Sequence, residues 1–227
     1  MDSIDREKQV AAKAAVDLIP DGSVVGIGAG STVNHAVRAL GERVAGGLKV
    51  KIVPAAIETE NLARSLGIEI TGFEQHPHFD IAIDGADEMD PQLRLLKGGG
   101  GALLREKVVA TAATQFIVIA DSTKTVDHLG KFPLPVEVLP FALWAVFDRV
   151  RKLGVEPILR KRPDGSVYET NQHNYILDCP FGKIEDPEKL AADLACIPGL
   201  IEHGLFLTEA AFALVARGET VETIRRS

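Results

Sequence analysis

The sequence predicts an α/β fold, with a largely parallel sheet in one domain and a smaller α+β domain after it. Three observations predict it. Short runs of β-branched and apolar residues alternate with helical patterns through the first half of the chain. Turns rich in glycine and aspartate follow directly on those runs. After about Gly130 the rhythm changes to strand, helix, two strands and a helix.

In order along the chain, residues 10–19 place Val10, Ala14, Val16 and Leu18 on a helical pattern, which Pro20-Asp21-Gly22 stops. Residues 23–27 read as a buried strand, followed by a glycine-rich turn and a helix over 33–44. A second strand covers 50–54, a helix over 56–66 closes at Gly67, and a short strand covers 68–70. A strand over 79–83 runs into an acidic turn, a helix spans 102–113, and 116–120 is another buried strand. In the smaller domain, strands are expected at 136–139, 156–160 and 175–178, and helices at 141–153 and 187–195. Pro163-Asp164-Gly165-Ser166 signals a hairpin. Residues 204–208 are expected to return a last strand to the first domain. The expected boundaries are therefore 1–130 with 204–227 for the larger domain, and 131–203 for the smaller.

Composition excludes several classes of function. The net charge of −7 leaves no basic footprint for nucleic acid, yet a local pocket can still hold a small anion. Charged residues occupy the N-terminal stretch where a signal peptide would be apolar. The longest apolar stretch, 134–147, contains Glu137 and two prolines and is too short to span a membrane. Cys179 and Cys196 are too few for a disulfide framework or a thiolate metal site, so a reducing, cytoplasmic compartment is expected. The histidines do not cluster: His76 and His78 flank Pro77, and the other four are isolated. No metal site is expected from them.

Four loops that leave strand ends carry the chemistry, because ligands of open α/β sheets gather there. The first is Gly26-Ile27-Gly28-Ala29-Gly30-Ser31-Thr32. Its glycines admit a close ligand, and the following helix N-terminus favours an anion. A dinucleotide fingerprint would need glycine at position 31, where Ser31 stands, and no phosphate-binding Gly-Lys-Ser/Thr follows. The bland reading is a tight turn with a serine cap. The second loop, Asp84-Gly85-Ala86-Asp87-Glu88, holds three acids in five residues. They can bind a metal, hold sugar hydroxyls or move protons, or they can be a solvated turn.

The third loop is Lys97-Gly98-Gly99-Gly100-Gly101, leading into Ala102-Leu103-Leu104-Arg105-Glu106-Lys107. Four successive glycines cost backbone entropy, and close approach to a ligand is the best reason for them. Their N–H groups suit an oxyanion, Lys97 adds a cation, and Glu106 lies about one turn inside the helix. As plain structure, Glu106 would be a surface ion-pair partner of small energetic effect. The fourth loop is Ala120-Asp121-Ser122-Thr123-Lys124, where Lys124 can hold a phosphate as a point charge or be an ordinary surface lysine.

Together these loops, in this order, resemble ribose-5-phosphate isomerase, type A. Residues 129–138 (Leu-Gly-Lys-Phe-Pro-Leu-Pro-Val-Glu-Val), 174–178 and 202–206 add to the likeness, which spans nearly the whole chain. The Asp-Gly-Ala-Asp-Glu and Lys-Gly-Gly-Gly-Gly-Ala-Leu-Leu-Arg-Glu-Lys segments are its most specific part. The resemblance implies a Rossmann-like domain that holds the site, and a smaller α+β domain of ferredoxin-like form. It implies a homodimer or tetramer, with contacts often made by the small domain. It implies Glu106 as general base, with Asp84, Asp87 and Lys97 lining the substrate. Ala29, Gly30, Ser31, Thr32, Asp84, Gly85, Ala86, Asp87, Lys97, Gly98, Gly99, Gly100 and Lys124 would bind the sugar phosphate. Two positions depart from the family: Ala29 stands where threonine is usual, and His173 where glycine is usual.

The implied reaction moves a proton between adjacent carbons of D-ribose 5-phosphate and gives D-ribulose 5-phosphate through an enediol or enediolate. The expected partner is thus a small sugar phosphate, with no nucleic acid and no membrane. No step requires a cofactor. A base set among acids is expected to titrate higher than usual. Two rival readings remain at this point. One is a related enzyme, such as an amino-sugar phosphate isomerase-deaminase or a CoA transferase, the latter using a glutamate as nucleophile. The other is a sugar-phosphate-sensing regulator, against which stand the acidic charge and the short stretch before the first strand.

Overall fold

A computed structural model describes residues 3–226 of the chain. The elements begin with α1 (Ser3–Asp17), β1 (Val24–Ile27), α2 (Ser31–Ala45), β2 (Lys51–Pro54), α3 (Ile57–Ser65), β3 (Glu69–Ile70) and β4 (Phe79–Asp84). They continue with β5 (Glu88–Met89), β6 (Leu95–Leu96), α4 (Leu103–Ala112), β7 (Ala113–Asp121), β8 (Leu134–Val138) and α5 (Leu143–Arg151). The remainder are β9 (Ile158–Leu159), β10 (Tyr175–Cys179), α6 (Pro187–Ala195), β11 (Leu200–His203), β12 (Leu205–Phe206), β13 (Ala210–Arg217) and β14 (Thr220–Arg225). No helix among the described residues is long and apolar enough to cross a membrane.

The chain forms two compact units. The first holds the described residues up to Ala86, Arg105–Thr125, and those from Thr208 onward. Its seven-stranded sheet runs β3-β2-β1-β4-β7-β13-β14, and only β14 is antiparallel to its neighbour. That is the doubly wound Rossmann order, in which the direction of winding reverses between β1 and β4. Both faces must then be covered, so the strands read as continuous apolar runs. Val25, Ile27, Ile52, Ile83 and Ile119 are fully buried beneath Val33, Val37 and Leu40 of α2. Each such side chain contributes about 1.5–3 kcal/mol by leaving water. Ala11, Ala12 and Ala15 of α1 have no exposed surface, so small residues let this helix lie close to its neighbours. Gly26, in the middle of β1, would place a Cβ 2.5 Å from Val109 and 2.6 Å from Phe79, so glycine is what allows α4 to pack there.

The second unit holds Asp87–Leu104 and Val126–Leu207. Its four-stranded antiparallel sheet runs β11-β8-β10-β9. Counted within the unit this is the order 4-1-3-2 of a βαββαβ repeat, the ferredoxin-like form. Leu134, Val136, Val138, Val146, Val150, Leu177 and Leu194 close its core. Helix α6 starts at an Asp186 cap, whose side chain accepts from the Lys189 N–H at 2.9 Å, with Pro187 in the first turn. The predicted hairpin closes with the Arg162 N–H on the Ser166 carbonyl at 2.8 Å and Gly165 at φ 84°. A second, three-stranded sheet runs β12-β6-β5.

That small sheet changes two expectations. Residues 205–206 pair with β6 in the second unit instead of completing the large sheet. The Gly204 N–H on Pro135 and the Lys97 N–H on Gly204 draw the segment there, each at 2.8 Å. The large sheet is completed by β13 and β14, which the sequence reading left unassigned. Because β5 and β6 pair with β12, residues 87–104 belong to the second unit as well.

His173 adopts φ 59°, the left-handed region that glycine occupies freely and other residues adopt with strain. Relief of that strain outweighs the added flexibility of the unfolded chain. His173→Gly is therefore expected to stabilise the protein by about 0.5–1 kcal/mol, raising the melting temperature by about 2 °C. A calorimetric scan that shows an unchanged or lower temperature would contradict this reading.

Candidate active site

In the first unit, the carboxyl ends of β1 and β4 lie side by side where the sheet reverses. The Gly28 N–H continues the ladder to the Ile83 carbonyl at 2.9 Å. Asp84 is only 3% exposed, and its Oδ1 accepts from the N–H groups of Gly85 at 2.7 Å and Ala29 at 3.2 Å. A Cβ on Gly28 would fall 1.8 Å from the Asp84 Cγ, so this turn and this carboxylate require glycine between them. The buried Thr59 hydroxyl donates to the Gly28 carbonyl at 2.8 Å and fixes the turn from below.

Helix α2 then begins at Gly30, φ 107°, with no side-chain cap. Its first N–H groups are thus left to a ligand or to water. Ser31 is exposed and Thr32 buried in this first turn. The ammonium of Lys8, from α1, donates to the Ser31 hydroxyl at 3.1 Å. Lys8 is absent from the sequence-based set, since nothing in spacing links residues 23 apart. Ala29 supplies its N–H and no hydroxyl.

The Lys124 loop leaves β7 as a single 3-10 turn, Ser122–Lys124. Asp121 caps it, accepting from the Thr123 N–H at 3.0 Å and from the Thr123 hydroxyl. Glu7 of α1 holds the turn from the other side. It accepts from the Ser122 N–H at 2.9 Å and the Gly218 N–H at 2.8 Å. Hydrogen bonds from Ser122, then Gly218, keep its carboxyl below the usual glutamate range. Glu106 lies in the first turn of α4 and is 5% exposed, and Arg105 beside it donates to the Pro54 carbonyl at 3.1 Å.

In the second unit, Asp87 accepts the Gly99 N–H at 2.7 Å, and its own N–H donates to Leu96 at 2.9 Å. A side chain on Gly99 would collide with that carboxylate at 2.8 Å. Lys97 is 3% exposed, with its ammonium 5.4 Å from the centre of the Phe206 ring. Glu88, the third acid of the turn, is a structural group. Its oxygens accept from the N–H groups of Gly130 at 2.7 Å and Phe132 at 2.6 Å. Among the described residues, no three His, Cys, Asp or Glu side chains gather as metal ligands do.

The sequence-predicted residues therefore divide between the units. Ala29, Gly30, Ser31, Thr32, Asp84, Gly85, Ala86, Glu106 and Lys124 lie in the first, and Asp87, Lys97, Gly98, Gly99 and Gly100 in the second. The chain passes from one unit to the other after Ala86, Leu104, Thr125 and Leu207, and three of the four loops straddle or adjoin one of these crossings.

A family model for ribose 5-phosphate isomerase A (phosphoriboisomerase A) matches residues 51–220. The ribose-5-phosphate isomerase A of Parvibaculum lavamentivorans is 46% identical over 226 residues, covering 97% of this chain and 98% of that protein. The structure of ribose 5-phosphate isomerase from Plasmodium falciparum has a TM-score of 0.94 at 35% identity, covering 99% of this chain and 100% of the other. A D-ribose-5-phosphate isomerase in complex with phospho-erythronic acid has a TM-score of 0.94 at 36% identity, covering 98% and 99%.

The Glu7 contacts set a pH signature. A carboxyl whose folded titration lies below its unfolded value adds stability above the unfolded value, about pH 4.3, and loses it as pH falls through the folded one. Glu7→Gln is expected to cost about 2 kcal/mol near neutral pH. Denaturant melts should show the gap from wild type closing below about pH 4; a gap independent of pH would contradict the assignment.

Proposed function

The chain belongs to the ribose 5-phosphate isomerase A family, and from that premise we propose that it interconverts D-ribose 5-phosphate and D-ribulose 5-phosphate. The observation that carries the reading is a buried carboxylate, Glu106, one turn inside a helix that four glycines precede. In the open-chain aldose, Glu106 removes the proton from C2. The electron pair forms the C1–C2 double bond, and negative charge develops on O1. The proton returns from Glu106 to C1 while the O2 proton passes to O1, which forms the C2 carbonyl and the C1 hydroxyl of the ketose. Every step is a proton transfer, and atoms and charge balance without a co-reactant.

The Lys97 ammonium and the glycine-loop N–H groups stabilise the developing oxyanion. Asp84 and Asp87 hold sugar hydroxyls and assist ring opening. Ser31, Thr32 and Lys124 anchor the phosphate, with Lys8 adding positive charge beside Ser31. Phosphate binding far from the reacting carbons then positions them. The complex of a similar isomerase with phospho-erythronic acid supports this assignment, because a carboxylate at C1 mimics the enediolate oxygens. No observation favours the regulator or the CoA-transferase chemistry.

Assembly as a homodimer through the smaller unit is supported by Phe141 and Trp144, which are 101% and 69% exposed there. Cytoplasmic residence is supported by the two free cysteines, Cys179 and Cys196.

Glu106→Gln is expected to lower kcat by about a thousandfold or more, while the protein still folds and binds the sugar phosphate. Normal turnover by that variant would remove Glu106 from the mechanism. Lys124→Ala is expected to raise KM about tenfold with kcat little changed, as loss of ground-state binding requires. A fall in kcat alone would refute the phosphate role.

A further inference from the structure

We propose that Arg160, held by Asp178 and aided by Tyr168, is a positioning residue that fixes the glycine loop and presents the Gly100 N–H to the oxyanion. The inference rests on the isomerase reading above and adds residues that reading does not use. All of the groups concerned belong to the second unit.

The Arg160 guanidinium is 13% exposed and uses both edges. Its Nε donates to Asp178 Oδ2 at 2.9 Å and its Nη2 to Oδ1 at 2.5 Å. Its Nη1 donates to the carbonyls of Gly98 at 3.1 Å and Gly99 at 3.0 Å. The guanidinium also lies 5.7 Å from the centre of the Tyr168 ring, and the Tyr168 hydroxyl donates to the Gly100 carbonyl at 3.1 Å. Three successive carbonyls are thus tied by two side chains that are distant in sequence. Four glycines would otherwise sample many backbone states, and a planar fork held by a carboxylate is suited to selecting one.

The peptide bonds are trans, so each C=O points opposite to the N–H of the next residue. Tying the Gly98 carbonyl to Arg160 directs the Gly99 N–H the other way, where Asp87 accepts it. Tying the Gly99 carbonyl directs the Gly100 N–H away from the clamp in the same manner. The Gly101 N–H turns back to the Gly98 carbonyl at 3.0 Å. Of these three N–H groups, that of Gly100 alone has no protein acceptor among the described residues. A Cβ built on Gly100 meets nothing within 4 Å, so there is room beside it for a ligand. Lysine in place of Arg160 keeps the charge, but its three donors and flexible stem cannot serve both Asp178 oxygens and both carbonyls at once.

The test uses the full-length protein and three variants: Arg160→Lys, Tyr168→Phe and, as reference, Lys124→Ala. Arg160→Lys is expected to lower kcat roughly 10–100-fold with KM within about threefold. Inhibition by phospho-erythronic acid, whose carboxylate occupies the enediolate position, should weaken in proportion. Inhibition by inorganic phosphate should not change. Tyr168→Phe, which removes one hydroxyl and keeps the ring, should show a smaller loss of the same kind. Wild-type kcat in both clamp variants would overturn the proposal, as would a fall in kcat with undiminished affinity for phospho-erythronic acid. A wild-type protein that fails to turn over ribose 5-phosphate would instead overturn the isomerase reading. A Lys124→Ala protein with unchanged KM would overturn only the phosphate assignment.

Discussion

Where the large sheet reverses its winding, the Asp84 carboxylate occupies the space that any side chain on Gly28 would need. This exclusion ties three things together. It sets the turn between β1 and α2, it lets the N–H groups of Ala29 and Gly85 converge on one oxygen, and it leaves the start of α2 uncapped. The parallel order of β1 and β4 brings the two turns to the same end of the sheet. A larger residue at position 28 would have to move either the strand ladder or the acid.

The same device recurs across the molecule. Asp84, Asp87, Glu88, Asp121 and Glu7 all accept peptide N–H groups from turns. Glu7, Asp84, Glu88 and Asp121 are buried, and a carboxylate on backbone donors is a strong pairing. Within a chain of net charge −7, Lys8 of α1 reaches the Ser31 hydroxyl and Lys124 ends the 3-10 turn after β7. Glu88 shows the other side of this economy of groups. It stands within the acidic turn and holds the Gly130–Phe132 backbone.

The fold was legible where periodicity was long and local. The strand at 79–84, the helix ended by Gly67 and the Asp164-Gly165 hairpin follow from patterns and turn chemistry within a few residues. Strands β5, β6 and β12 are two residues each, too short for any alternation to register. Residues 205–206 join a sheet because of bonds to Pro135 and Lys97, which no local pattern announces. Among the candidate site residues, the glycine loops and their acids were visible because their composition is costly without a ligand. Glu7, Lys8 and Arg160 were not, because each acts on backbone or side chains between 23 and 211 residues away. An isolated charge on a helix or strand looks the same whether it meets water or a distant backbone.

The sheet order has a consequence for synthesis on the ribosome. Strand β7 is made before all of residues 126–207, and its partner β13 only afterwards. Until β13 emerges, β7 is an unpaired parallel edge with Phe116, Ile117, Val118 and Ile119 in a row. Such an edge is a template for wrong pairing between nascent chains. The second unit has its own core and can close while that edge waits. Slow translation of the intervening segment would lengthen the vulnerable interval, so chaperone demand should track the time between these two strands rather than the stability of the finished protein.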